Sequence, residues 1–190
     1  MIYTRGSALD YERWVEQGCE GWGFDDVLPY FIKAENNVHG ADELHGDSGP
    51  LHVSNLLSQR GTSTAFVEAA VANGLEHNQD FNGKKLEGAG LYQVTHFHGE
   101  KQGQRCSAAA AYLHPVQNRP NLTVITHAQA NRVIIEDNQA VGVVYEKDGV
   151  KQTVMARHEV ILSGGTFGSP KVLMLSGIGP AEHLQSHGID

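Results

Sequence analysis

The sequence predicts an α+β fold drawn from two domains, and three observations carry that prediction. Apolar residues recur at helical spacing through much of the first part of the chain. From Leu122 onward the texture changes to short β-branched segments, which places a domain crossing between Pro120 and Thr126. Near the end, the apolar run Val160-Ile161-Leu162 meets the pair Gly164-Gly165, and Ser169-Pro170 follows as a helix opening. A strand, a turn without side chains and a helix start bring backbone close to a ligand in α/β folds, although an ordinary strand-to-helix turn has the same pattern.

Taken in order, Asp10 to Gln17 predicts a short helix with Tyr11, Trp14 and Val15 on one side and Gly18 as its stop. Asp25 to Glu35 repeats the pattern with Val27, Tyr30, Phe31 and Ala34, and Pro29 is tolerable there only near the start. Asn36 to Gly49 is polar and reads as a loop. Leu51 and Val53 alternate with polar neighbours as a short strand does. Thr62 to Asn73 reads as the cleanest amphipathic helix, with Phe66, Val67, Ala70 and Val71 inward. Alternation from Gly88 to His98 predicts a long strand. Ser107 to Leu113 is an alanine-rich helix ended by Pro115. Strands are expected at Leu122–Thr126, Arg132–Ile135, Val141–Tyr145 and Thr153–Ala156, then the buried strand Val160–Leu162. The helix after it has Val172, Leu173 and Leu175 as its apolar face and Gly177 as its end.

A net charge of −8 leaves no basic stripe to neutralise phosphates, so a nucleic-acid surface is not expected. No apolar run approaches membrane-spanning length, and the first residues do not read as a signal peptide. Cys19 and Cys106 stand far apart, and two free thiols in a reducing compartment are a better reading than a disulfide. His96 and His98, with His114 as a third, have the types of a metal site. Without cysteine or carboxylate support, a hydrogen-bonded strand face is the better reading, and no metal is expected. His183 and His187 lack the glutamate of a metalloprotease helix and read as surface residues. Tyr92 and Gln93 either line a substrate pocket or simply pack. Ser163 and Ser176 lack the flanking glycines of a nucleophile elbow.

The run Gly165-Thr166-x-x-Ser169-Pro170-x-Val172-Leu173-x-x-Ser176-Gly177-Ile178-Gly179 resembles the second signature of the glucose–methanol–choline (GMC) family of flavin oxidoreductases. Other landmarks agree in order: Tyr3-x-Arg5-Gly6 with Asp10-Tyr11 and Trp14, Gly21-Trp22-Gly23 with Leu28-Pro29-Tyr30-Phe31, and His45-Gly46 with Gly49-Pro50-Leu51. Arg105-x-Ser107-Ala108, Arg119-Pro120-Asn121-Leu122 and Ala140-Val141-Gly142-Val143 follow. The resemblance covers essentially the whole chain but matches only a middle piece of a longer family sequence. It implies residues 1–49 as a segment associated with the FAD domain, 50–122 as part of an antiparallel-sheet substrate domain, and 123–190 as a return to the FAD-binding domain.

By the same resemblance, Met1 and Ile2 lie along the isoalloxazine of FAD. Ala130, at the end of Thr126-His127-Ala128-Gln129-Ala130, presents its backbone to the adenine. Ser163, Gly164 and Gly165 border the adenosine–pyrophosphate region. The G-x-G-x-x-G fingerprint that holds a pyrophosphate does not occur in this sequence. The family places that motif before Met1 and its substrate-facing histidine after Asp190, so no catalytic residue is expected here. The resemblance implies an internal fragment of an FAD-dependent dehydrogenase of the choline or alcohol branch, with a small alcohol as substrate. The isolated chain is expected to lack FAD, to be inactive and to self-associate. A cytoplasmic location is expected, with peripheral membrane attachment of the longer protein left open. A hydroxynitrile lyase of the same fold and a non-catalytic binding module are the rival readings.

Overall fold

The computed structural model describes residues 1–189. The chain divides into two compact units, Met1–Leu122 and Thr123–Asp190. Helices and an antiparallel sheet together make the architecture α+β.

In the first unit, helix α1 spans Ala8–Glu16. Ser7 caps it, its hydroxyl accepting the Leu9 N–H at 3.2 Å while the Asp10 carboxylate accepts the Ser7 N–H at 3.2 Å. Helix α2, Phe24–Ala34, packs on α1 through aromatic rings, with Tyr11, itself 5.0 Å from Trp14 of the same helix, lying 5.8 Å from Phe24 and 6.2 Å from Phe31. Pro29 is the sixth of the 11 residues of α2 and so lies inside the helix, not near its start as the sequence reading required.

Helix α2 runs directly into β1, Glu35–Asn37, which pairs in parallel with β2, Leu51–Val53. Glu35 stands opposite Leu51, Asn36 opposite His52 and Asn37 opposite Val53. The connecting loop folds back so tightly that Gly46 and Gly49 touch the end of α2. A Cβ at Gly46 would stand 1.9 Å from the Ile32 carbonyl oxygen.

Three expectations for this unit change. Helix α3, Gly61–Ala72, forms as predicted, but Phe66 is 76% exposed and no residue of the helix is buried. Its apolar residues ring the helix instead of lining one side, so there is no stripe to dock. The alternating stretch 88–98 is not a long strand. It pairs one residue at a time: Ala89 with His77, Val94 with both Ile2 and Ser54, and His96 with Arg105. No partner runs beside it far enough to build a ladder. The alanine-rich segment is a π turn, Ala109–Leu113, that tightens into a 3₁₀ turn, His114–Val116, carrying Pro115 past its first residue.

The second unit holds the antiparallel sheet, the meander β3–β4–β5 (Ala128–Glu136, Gln139–Lys147, Val150–Met155). Both hairpins turn on two residues with positive φ, Asp137-Asn138 and Asp148-Gly149, which match the right-handed twist of the strands. Helix α4, Gly165–Leu175, packs on β3. The Ser176 hydroxyl pins its end by accepting the Val133 N–H at 2.8 Å and donating to the Val172 carbonyl at 2.6 Å. Gly177, at φ +84°, ends the helix as expected. Its N–H reaches the Met174 carbonyl, and the Ile178 N–H reaches the Leu173 carbonyl, both at 3.0 Å. Helix α5 spans Ala181–Ser186.

Two expected strands are absent here, and one helix start moves. Leu122–Thr126 is an extended, largely exposed connection, and pairing begins at Ala128. Val160–Leu162 has no strand beside it among the described residues, and Ile161 is 76% exposed. An apolar run states a demand for burial, but a strand exists only where another offers it a ladder. Helix α4 begins four residues before Ser169, whose hydroxyl instead accepts the Gly164 N–H at 2.9 Å.

Candidate functional site

The first unit is organised round a buried ion pair. Arg5 Nη2 donates to Glu35 Oε2 at 2.6 Å, with the Glu35 side chain fully buried. The pair is dry, so it persists only because its remaining groups are bonded as well. Arg5 Nε donates to the Tyr3 hydroxyl at 3.2 Å, and Nη1 donates to the Leu44 carbonyl. Glu35 Oε2 also accepts the Gly46 N–H at 3.1 Å, and Oε1 accepts Asn37 Nδ2 at 3.0 Å. The Arg5 main chain is held too: its N–H donates to Asn82 Oδ1 at 2.8 Å, and its carbonyl accepts the Tyr11 hydroxyl.

This frame carries a ledge. The Tyr3 N–H donates to the Gln93 carbonyl and the Thr95 N–H to the Met1 carbonyl, both at 2.9 Å, with Ile2 bridged to Val94. The backbone of Met1 and Ile2 is therefore fixed, while their side chains face solvent, Ile2 being 62% exposed. A rigid apolar edge of this kind suits the face of a planar ring.

A separate cleft of about 680 Å³ in the same unit is lined by Tyr92, Gln93, Asp42, His45 and Thr64, among others. Tyr92 and Gln93 both line this cleft, and Gln93 is also buried, only 8% exposed. Tyr92 stacks on Phe81 at 4.5 Å. The buried His45 ring places Nδ1 3.3 Å from Asp42 Oδ1. Burial pushes the Asp42 carboxyl up, but the Leu44 N–H, the His45 charge and the His45 N–H outweigh it and leave the group below the usual range.

The histidines read as a possible metal set do not converge. His98 Nε2 donates to the Asn36 carbonyl at 3.0 Å, His96 is in register with Arg105, and His114 is exposed. Among the described residues no group of three or more His, Cys, Asp or Glu is arranged to hold a metal. His52 stacks 4.4 Å from His98, and burial, reinforced by the His98 and Lys101 charges, holds it below the usual imidazole range. His183 and His187 stack on each other at the exposed surface. Both cysteines are free. Cys19 is exposed, whereas Cys106 is fully buried and its thiol is pushed up by that burial.

In the second unit, Ala130 pairs with Tyr145 just before a bulge in β3, and its carbonyl accepts the Gln129 side-chain amide at 3.1 Å. Ser163, Gly164 and Gly165 are exposed at the start of α4. Gly165 has φ +77°, and a Cβ there would meet nothing within 4 Å, so the backbone conformation and an open approach distinguish it. No side chain caps the N-terminus of this 11-residue helix. Uncapped amides at the positive end of a helix, reached across glycines, fit an anionic diphosphate. Of the six residues expected at a cofactor, Met1 and Ile2 belong to the first unit and Ala130, Ser163, Gly164 and Gly165 to the second.

The buried frame was not anticipated. Glu35 ends a helical pattern, and Asn37 and His45 lie in the polar stretch that reads as a loop. The bonds from Glu35 to Arg5 and from Asn37 to Gln93 join residues remote in sequence, and no periodicity marks them.

The first unit thus has an exposed apolar ledge, and the second a glycine turn at a helix start that no side chain caps. The chain belongs to the GMC oxidoreductase family, which matches residues 1–189. It is 44% identical over 190 residues to an oxygen-dependent choline dehydrogenase of Sinorhizobium medicae, covering all of this chain and 34% of the relative. A protein of the same description from Rhizobium johnstonii is 47% identical over 194 residues, again with 100% and 34% coverage. Among solved structures, pyridoxine 4-oxidase from Mesorbium loti superposes with a TM-score of 0.86 at 32% identity, covering 100% of this chain and 37% of that one. An FAD-dependent oxidoreductase from Chaetomium thermophilum gives 0.87 at 28% identity, with 100% and 35% coverage. The chain therefore spans about a third of the length of the curated relatives it matches.

Proposed function

We propose that these residues serve an FAD-dependent oxidoreductase acting on the CH–OH group of its donor, choline or a primary aliphatic alcohol. The observation that carries this reading is similarity along the entire chain to oxygen-dependent choline dehydrogenases, at 44% identity in the first case. In this reading residues 1–49 associate with the FAD domain, 50–122 belong to the substrate domain and 123–190 return to the FAD domain. The Met1–Ile2 ledge lies along the isoalloxazine, Ala130 borders the adenine, and Ser163, Gly164 and Gly165 face the adenosine–pyrophosphate region. The flavin, when bound, supplies the hydride acceptor. What this chain contributes is orientation: a fixed apolar edge in the first unit and backbone amides for an anion in the second. A cytoplasmic site of action goes with this reading, and among the described residues no helix is long and apolar enough to cross a membrane.

The test is anaerobic reduction of the full-length flavoprotein. Choline or a primary aliphatic alcohol is expected to bleach its visible band. A flavin that stays oxidised with every alcohol offered would remove the redox reading.

Self-association of the isolated chain belongs to the same proposal. Phe66, Ile161 and Phe167 stand largely in solvent, and β5 is an exposed edge carrying Val150, Val154 and Met155. Unpaired edges and apolar surface recruit further copies. Light scattering at high concentration is expected to show dimers or larger species. A uniform monomer would contradict this.

A further inference from the structure

We propose that Gln93 is a positioning residue, which sets the register of the Met1–Ile2 ledge through the amide pair it makes with Asn37. The inference rests on the reading above that this ledge lies along the flavin ring.

The ledge lacks the usual source of register. Ile2 and Val94 form an isolated bridge, not part of a ladder, and Val94 is shared with Ser54 on its other side. One bridge, with the Tyr3 N–H to Gln93 carbonyl and Thr95 N–H to Met1 carbonyl bonds beside it, holds the segment over fewer residues than the continuous pairing and buried face that normally specify register. Side chains supply what the ladder does not. Gln93 is only 8% exposed. Its Oε1 accepts Asn37 Nδ2 at 3.2 Å, while its Nε2 donates to Asn37 Oδ1 at 3.3 Å and to Asn55 Oδ1 at 3.5 Å.

The orientation of both amides is determined. Asn37 Nδ2 must face the Glu35 carboxylate, at 3.0 Å, and its Oδ1 must face the His39 N–H, at 3.0 Å. A flipped Asn37 would set oxygen against oxygen, and a flipped Gln93 would do the same towards Asn37. The bonds then close a ring: Arg5 to Glu35, Glu35 to Asn37, Asn37 to Gln93, and the Gln93 carbonyl to the Tyr3 N–H, two residues from Arg5. A slip of the ledge breaks at least one member of that ring in a buried, low-dielectric setting, where a lost bond is costly. An apolar residue would fill the same space as well, but it would carry no direction.

The experiment uses the full-length flavoprotein with Gln93→Met, which keeps the length of the side chain and removes its hydrogen bonds. Flavin content and KM are expected to hold, while the visible circular dichroism of the flavin changes and kcat falls about 10- to 100-fold, the scale of a misplaced reacting group. The exchange Asn37→Gln with Gln93→Asn rebuilds the amide pair from the other side. It is expected to restore the dichroism and most of kcat. Should Gln93→Met fail to fold, Gln93→Asn alone replaces it with the same expectation. Unchanged dichroism and kcat, or an exchange variant no better than the single one, would overturn the proposal. Ile2→Trp separates it from the reading beneath: an indole there that FAD does not quench removes the ledge from the flavin. A quenched indole beside a silent Gln93→Met defeats the positioning role alone.

Discussion

Glu35→Ala is expected to destabilise the unit formed by residues 1–122 by about 3–5 kcal/mol, the cost of leaving a buried charge without its partner. Three donors lose their acceptor at once: Arg5 Nη2, the Gly46 N–H and Asn37 Nδ2. Against a total stability of about 5–15 kcal/mol for a domain, that loss leaves the unit barely folded. Both tryptophans of the chain, Trp14 and Trp22, lie in this unit, so near-ultraviolet circular dichroism through a urea titration reports on it selectively. Replacing both partners, as Arg5→Met with Glu35→Leu, is expected to recover part of the loss, since no unpaired charge remains. A single variant as stable as the parent sequence would mean the pair is solvated.

Gly90→Ala is the second large effect. The added Cβ would stand 1.8 Å from the Asn78 carbonyl oxygen and 3.2 Å from Phe81 Cε2, and the first of these neighbours is backbone. The segments must separate, breaking the bonds from the Asn78 N–H to the Ala89 carbonyl and from the Ala89 N–H to the Glu76 carbonyl. Overpacking of this kind costs about 1–3 kcal/mol or more. Gly168→Ala, inside α4, is the contrast, because a Cβ there meets nothing within 4 Å. It is expected to gain about 0.5–1 kcal/mol from helix propensity and a less free unfolded chain. Urea midpoints moving in opposite directions check the pair. A neutral Gly90→Ala would contradict the close approach.

What the sequence made legible was mostly local. Helix α1 announces itself through Tyr11, Trp14 and Val15, α2 through Val27, Tyr30, Phe31 and Ala34, and the end of α4 through Gly177, while the cap at Ser7, which starts α1 two residues before Asp10, went unused. The cores of β3, β4 and β5 were found, but their lengths were underestimated, because the turn signals Asp137-Asn138 and Asp148-Gly149 went unused. Helix α3 shows the limit of periodicity: a run rich in alanine and valine places apolar atoms all round, and Phe66 alone cannot define an inner face. Alternation over 88–98 had a physical basis too, yet strandness depends on partners the pattern cannot name. The site was legible only where family motifs mark it, as at Met1, Ile2, Ala130 and Ser163 to Gly165. The frame of Arg5, Glu35, Asn37 and Gln93 includes a bond between residues 56 positions apart, Asn37 and Gln93, and apart from Arg5 in its family motif its members look ordinary in their own neighbourhoods.

On the proposed reading, the Met1–Ile2 ledge and the α4 turn each contribute to holding FAD. The ledge and the α4 turn are here, and the sequence contains no G-x-G-x-x-G. The cost of immobilising a ligand is incurred in full whatever the number of contacts, so a partial site keeps far less than its share of the affinity. The most direct measurement is the ultraviolet–visible absorbance of the purified 190-residue chain after incubation with FAD and dialysis. A protein band alone, with no flavin absorbance, is the expected spectrum. A yellow protein retaining stoichiometric flavin would contradict the account.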